Sequence, residues 1–69
     1  MQGKVIWFDK EKGYGFLQSA EADNNGKGIF VHQTGINMNG FRFLTDGQEV
    51  EFDLDRNDRG LIAVNVVPV

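Results

Sequence analysis

Two short segments of the chain carry aromatic rings at a spacing that could do chemistry. In Lys12-Gly13-Tyr14-Gly15-Phe16-Leu17-Gln18-Ser19 two rings stand two positions apart, and Ile29-Phe30-Val31-His32 places a ring and an imidazole the same way. Strand side chains alternate between faces. Tyr14 would then share a face with Phe16, and Phe30 with His32, while Leu17, Ile29 and Val31 take the opposite face. A chain of 69 residues is too short to cover both faces of a sheet. The aliphatic face is therefore expected to be core, and the ring-bearing face to stay open to water beside lysines. Rings held open in this way stack on nucleobases. Gly13 and Gly15 add no side chain that would crowd them.

Other chemistries find little support in the residues. There is no cysteine and a single histidine, so no disulfide framework or structural zinc site is expected, and His32 has no companion for metal binding or catalysis. No catalytic pair is visible, and no cofactor or metal is expected. Glu51, Asp53 and Asp55 recur at period two and read as a solvated strand face. Gly13 and Gly15 do not make a phosphate-binding loop, because no helix follows them. No apolar run is longer than that of Leu61-Ile62-Ala63-Val64, far short of a membrane span. The N-terminus starts no apolar run of signal-peptide length. The expectation is a cytoplasmic protein with no membrane partner.

Charge sets a constraint. The net formal charge is −3, whereas proteins that hold polyanions usually present a basic patch. Residues 1–42 hold five basic and four acidic groups, and residues 43–69 hold two basic and six acidic ones. The ring-bearing half is the less acidic half without being strongly basic. Stacking must then be the larger contribution: it is worth about 1–3 kcal/mol per base, so four stacked bases give about 4–12 kcal/mol before ordering costs.

The elements that must position these rings are short strands. Gly3 to Phe8 is the first, followed by the polar turn Asp9-Lys10-Glu11-Lys12. Gly13 to Ser19 is the second. A polar loop from Ala20 to Lys27 contains the turn signal Asn24-Asn25-Gly26 and leads to the third strand, Gly28 to His32. Residues 33–47 have no clean period and read as a loop with one helical turn. In the fourth strand Val50, Phe52 and Leu54, expected to face the core, alternate with Glu51, Asp53 and Asp55 on an acidic, solvated face. In the fifth, Leu61 to Val67, Ile62, Val64 and Val66 are expected to share a face, with Asn65 on the other. Trp7 and Phe8 are adjacent and cannot share a face unless a bulge intervenes. Five short strands with glycine-rich turns and no helical period predict one all-β domain over residues 1–69, a small antiparallel five-stranded barrel.

Taken together, Gly3-Lys4-Val5-x-Trp7-Phe8-Asp9, Lys12-Gly13-Tyr14-Gly15-Phe16 and Phe30-Val31-His32 resemble the bacterial cold-shock proteins. Gly40-Phe41-Arg42, Asp46-Gly47-Gln48-x-Val50-x-Phe52 and Arg59-Gly60-x-x-Ala63-x-Asn65-Val66 continue the resemblance along essentially the whole chain. It implies an oligonucleotide-binding (OB) barrel that binds single-stranded RNA and DNA by base stacking and acts as an RNA chaperone. By position, Trp7, Phe8, Tyr14, Phe16, Phe30, His32 and Phe41 would stack, and Lys4, Lys12 and Arg42 match basic positions. This chain departs from the pattern in four places. Ile6 stands where many members have lysine, and Gln33 where many have phenylalanine, which puts a hydrogen-bonding amide in place of a ring. The loop from Ala20 to Gly28 is longer, and Phe43 is an additional aromatic. The first motif also resembles one of the RNA-recognition domain, but Ser19 stands where that pattern ends in an aromatic, the other motif there precedes this one, and two long helices follow the sheet, so that assignment is rejected. The rival from another class is a protein-interaction module that docks a partner or a second copy through the same rings. A monomer is expected, with dimerisation as that rival's arrangement.

Overall fold

In the computed structural model the strand segments are β1 (Gln2–Asp9), β2 (Tyr14–Gln18), β3 (Ile29–His32), β4 (Glu49–Asn57) and β5 (Gly60–Pro68). A single 3-10 turn at Gln33–Gly35 follows β3. The structure describes residues 1–22, 26–38, 40 and 43–69. The expected turn at Asn24-Asn25-Gly26 falls largely outside the described residues, as do Phe41 and Arg42.

The strands close into a barrel in the order β1-β2-β3-β5-β4, with β4 returning to pair with β1. Closure pairs each strand with a neighbour on both sides over part of its length, which shortens the sheet edges open to another chain. The barrel is not wholly antiparallel. β3 and β5 run parallel, with Phe30 opposite Ile62 and Val31 opposite Ala63. Residues 33–59 make the crossover that a parallel pair requires, since a tight hairpin can join only antiparallel neighbours.

The aliphatic face is the core, as the alternation predicts. Val5, Leu17, Ile29, Val31, Ile36, Leu44, Val50, Phe52, Ala63 and Val66 are buried. No described polar or charged side chain is buried with them, so the interior carries no desolvated hydrogen-bonding group.

Two strand readings are corrected. Leu54 is exposed rather than core, because β4 pairs with β1 only through residues 49–51, and the β4–β5 hairpin runs on past the closed barrel. In β5 the buried residues are Ala63 and Val66, three apart, instead of Ile62, Val64 and Val66. Between Glu51 and Asp53 the partner strand advances three residues, from Val67 to Val64, so β5 holds one extra residue. Asn65 lies in that interval at φ 52°, and its side-chain amide donates to Asp53 Oδ2 at 3.0 Å. A bulge with a left-handed residue inverts the alternation beyond it, and asparagine is among the few residues that accept that conformation.

Candidate nucleic-acid interface

The outer face of β1, β2 and β3 is built from two rows set by strand register. Trp7, Phe16 and Phe30 stand opposite one another across the three strands, and Ile62 of β5 continues the row. In the next row Asp9, Tyr14 and His32 are aligned. Neighbouring rings touch within and between rows. Trp7 meets Phe16 at 5.6 Å between centroids and Tyr14 at 5.8 Å, while Phe30 meets Phe16 at 5.7 Å and Tyr14 at 5.9 Å. Only the Tyr14–Phe30 pair is stacked, at 29° between planes, and the other three are tilted or edge-on. Edge contacts hold the rings against each other while leaving faces and edges turned to solvent. All four remain partly exposed, Trp7 at 39 %.

Trp7 reaches this face through a bulge. Val5 pairs with Leu17 and Trp7 with Phe16, so β1 has one extra residue, Ile6. In a regular strand Trp7 would share the inward face of Val5; the extra residue turns it outward, and Ile6 and Trp7 are both exposed. The bulge presses β1 against β2, and a Cβ at Gly15 would lie only 2.7 Å from Phe8 Cα and run into the Trp7 carbonyl oxygen. Glycine at 15 is thus a condition of the platform.

Phe8 is not brought into the ring grid. It stands opposite Gly15, in the inner row with Val31, and is half-buried against the core. Its N–H donates to Asp46 Oδ1 at 3.2 Å. His32 is half-buried at the edge of the second row. Its Nδ1 accepts from the Thr34 backbone N–H at 3.2 Å and lies 2.9 Å from Thr34 Oγ1. That bond assigns the ring proton of the neutral form to Nε2, leaving the imidazole a donor on its far side. Gln33 is exposed beside it, its N–H donating to the Gly13 carbonyl at 2.7 Å. A Cβ at Gly13 would meet the Gln33 carboxamide carbon at 2.7 Å, and Gly13 sits at φ 78°. The amide therefore packs on the β1–β2 turn and borders the platform next to Tyr14.

The two described lysines predicted to contact ligand stand at opposite ends of the platform. Lys4 is exposed in the row with Gln18. Lys12 is exposed in the turn that precedes Tyr14, where Asp9 Oδ1 accepts from the N–H groups of Glu11 and Lys12 at 3.0 and 3.1 Å. A groove of about 700 Å³ leaves the Lys4 end, lined in part by Ile6, Gln18, Gly28 and Glu49. Its described lining residues include no ring. A smaller recess of about 180 Å³ joins Phe30 and His32 to Asn57 and Ile62. Sequence reading missed Ile62 as a platform neighbour. The residues carry no local signal for it, since its place depends on a parallel pairing between strands far apart in sequence.

No group of three or more potential metal ligands occurs among the described residues. No helix among them is long and apolar enough to cross a membrane.

This arrangement agrees with comparisons to known proteins. A family model described as 'Cold-shock' DNA-binding domain matches residues 1–69. The chain is 45 % identical to a cold shock-like protein CspC of Bacillus cereus, over 97 % of both chains. It is 47 % identical to a cold shock protein CspA of Staphylococcus haemolyticus, over 96 % of this chain and 94 % of the relative. It is also 47 % identical to a cold shock-like protein CspA of Stigmatella aurantiaca, over 93 % and 90 %. An exposed ring grid on a closed five-stranded barrel, matched over its whole length, leaves one conclusion: the chain belongs to the nucleic-acid-binding cold-shock domain family.

Proposed function

We propose that this barrel binds single-stranded RNA and DNA through Trp7, Tyr14, Phe16 and Phe30, and acts as an RNA chaperone without ATP. The observation that carries this reading is the exposed two-row ring grid laid over a separate, wholly apolar core. Bases in a duplex are stacked on each other and unavailable to such a surface. The platform therefore captures only bases that are transiently unpaired, and each captured base shifts the hairpin equilibrium toward the open form. His32 adds a stacking and donor group, and Gln33 adds amide hydrogen bonds at the same edge. Lys4 and Lys12 meet phosphates, with Arg42 and Phe41 completing the set by position in the family pattern. Phe8 serves mainly to seat β1 on the core and offers its half-exposed ring at the margin. The protein works as one non-enzymatic domain, monomeric and cytoplasmic.

Titration with a short oligo-pyrimidine strand, followed by Trp7 fluorescence, tests the binding. Saturable quenching is expected, together with a lowered melting temperature of an RNA hairpin in excess protein. A hairpin whose melting is unchanged at saturation would defeat the chaperone reading. Sedimentation at several concentrations tests the monomer, and a tight dimer that buries Trp7 would favour the protein-interaction rival.

A further inference from the structure

Phe43 is the additional aromatic of this chain, and the platform described above does not use it. It is 38 % exposed, while its neighbour Leu44 is 3 % exposed and supplies the core contact of that segment. Core packing therefore does not account for a ring at 43. The residues that follow it are anchored. The Val5 N–H donates to the Gln48 carbonyl and the Gly47 N–H to the Val5 carbonyl, both at 2.8 Å, and Asp46 holds the Phe8 N–H. The segment is thus bound along β1, and Phe43 comes to rest against the β1–β2 turn. There Lys10 Nζ lies 5.8 Å from the Phe43 ring centroid, within cation–π range. Lys10 directly follows Asp9, which stands opposite Tyr14 in the second row of the grid.

We infer that Phe43 and Lys10 form one further nucleotide site, continuing the platform past its Tyr14 end, with Phe43 stacking on the base and Lys10 meeting the phosphate. This rests on the single-strand reading above. The lysine needs only one face of the ring, so a base can take the other. Lys10 and Lys12 lie in the same turn, which sets two cations where the strand would leave the grid. Glu11 of that turn and Asp46 keep the local charge low, so stacking is the larger contribution here too.

The test is affinity against strand length, with oligothymidylates from about four to about ten nucleotides. The native protein is compared with Phe43→Ala, Phe43→Leu and Phe43→Tyr, and thermal unfolding checks that each variant folds. In the native protein and Phe43→Tyr, affinity is expected to rise to the same plateau length. In Phe43→Ala and Phe43→Leu the plateau comes one nucleotide sooner and lies about five-fold or more lower, the low end for one stacked base. The shortest strands bind all four proteins alike. Identical curves, an equal loss at every length, or a leucine that serves as well as phenylalanine would each overturn the site. Absence of binding by the native protein at any length would instead defeat the platform reading itself, and this site with it.

Discussion

At the scale of single residues, ring and backbone contributions separate cleanly. Phe16 and Phe30 are half-exposed on the outer row, and the core beneath them is supplied by Leu17, Ile29 and Val31. Phe16→Ala and Phe30→Ala should each weaken single-strand binding by about 1–3 kcal/mol while circular dichroism and cooperative melting survive. Loss of cooperative folding in both would mean that the rings are structural. Gly15 should behave in the opposite way. Its Cβ would enter backbone atoms of the adjacent strand, with Phe8 Cα at 2.7 Å, and backbone cannot swing aside as a side chain can. Gly15→Ala is expected to cost about 3 kcal/mol or more, beyond ordinary overpacking, as read by chemical denaturation. A near-native midpoint would mean that β1 and β2 can move apart without unfolding the barrel.

At the scale of elements, two bulges do what regular strands could not. The extra residue at Ile6 turns Trp7 outward into the row of Phe16 and Phe30, and Phe8 falls inward onto Gly15. The extra residue in β5 lets Ala63 and Val66 both reach the core. Asn65, at φ 52°, should tolerate glycine with little change in stability. Asn65→Val should cost about 1–2 kcal/mol, the penalty of the left-handed conformation for a residue with an ordinary Cβ, measured as a shift in the urea midpoint. A valine variant as stable as the native protein would show that β5 relaxes into a regular strand. The sequence reading invoked a bulge only to bring Trp7 and Phe8 to one face; the bulge falls instead at Ile6, and the two rings take opposite faces. The β5 bulge was not legible, because alternating Ile62, Val64 and Val66 imitate a regular strand.

At the scale of the whole molecule, charge and rings occupy different parts of the barrel. The rings lie on β1, β2 and β3, whereas Glu49, Glu51, Asp53 and Asp55 line the exposed side of β4. With a net charge of −3, the protein gains little from long-range attraction to a polyanion. Contacts from Lys4, Lys12 and Arg42 predict a slope of log affinity against log salt near −2, at about 0.7 per phosphate for single strands, and Lys10 at the Phe43 site brings it to about −3. Binding measured across a series of salt concentrations checks this. A slope twice as steep would mean that charge, not stacking, dominates. The charge imbalance was plain in the sequence. Which strand face the carboxylates would occupy followed from period two, and their separation from the rings required the closed barrel.

The sequence by itself determined the alternation of Tyr14, Phe16, Phe30 and His32 against Leu17, Ile29 and Val31, and with it the core, the outer face and the family resemblance. These are local patterns, fixed once a segment is extended. Tertiary structure decided what depends on register between distant segments: the parallel β3–β5 pair that sets Ile62 beside Phe30, the inward turn of Phe8, the exposure of Leu54 and the meeting of Phe43 with Lys10. The first and last of these join residues more than 30 positions apart in the chain, Phe30 with Ile62 and Lys10 with Phe43. No local propensity encodes them, because their geometry exists only once the barrel has closed.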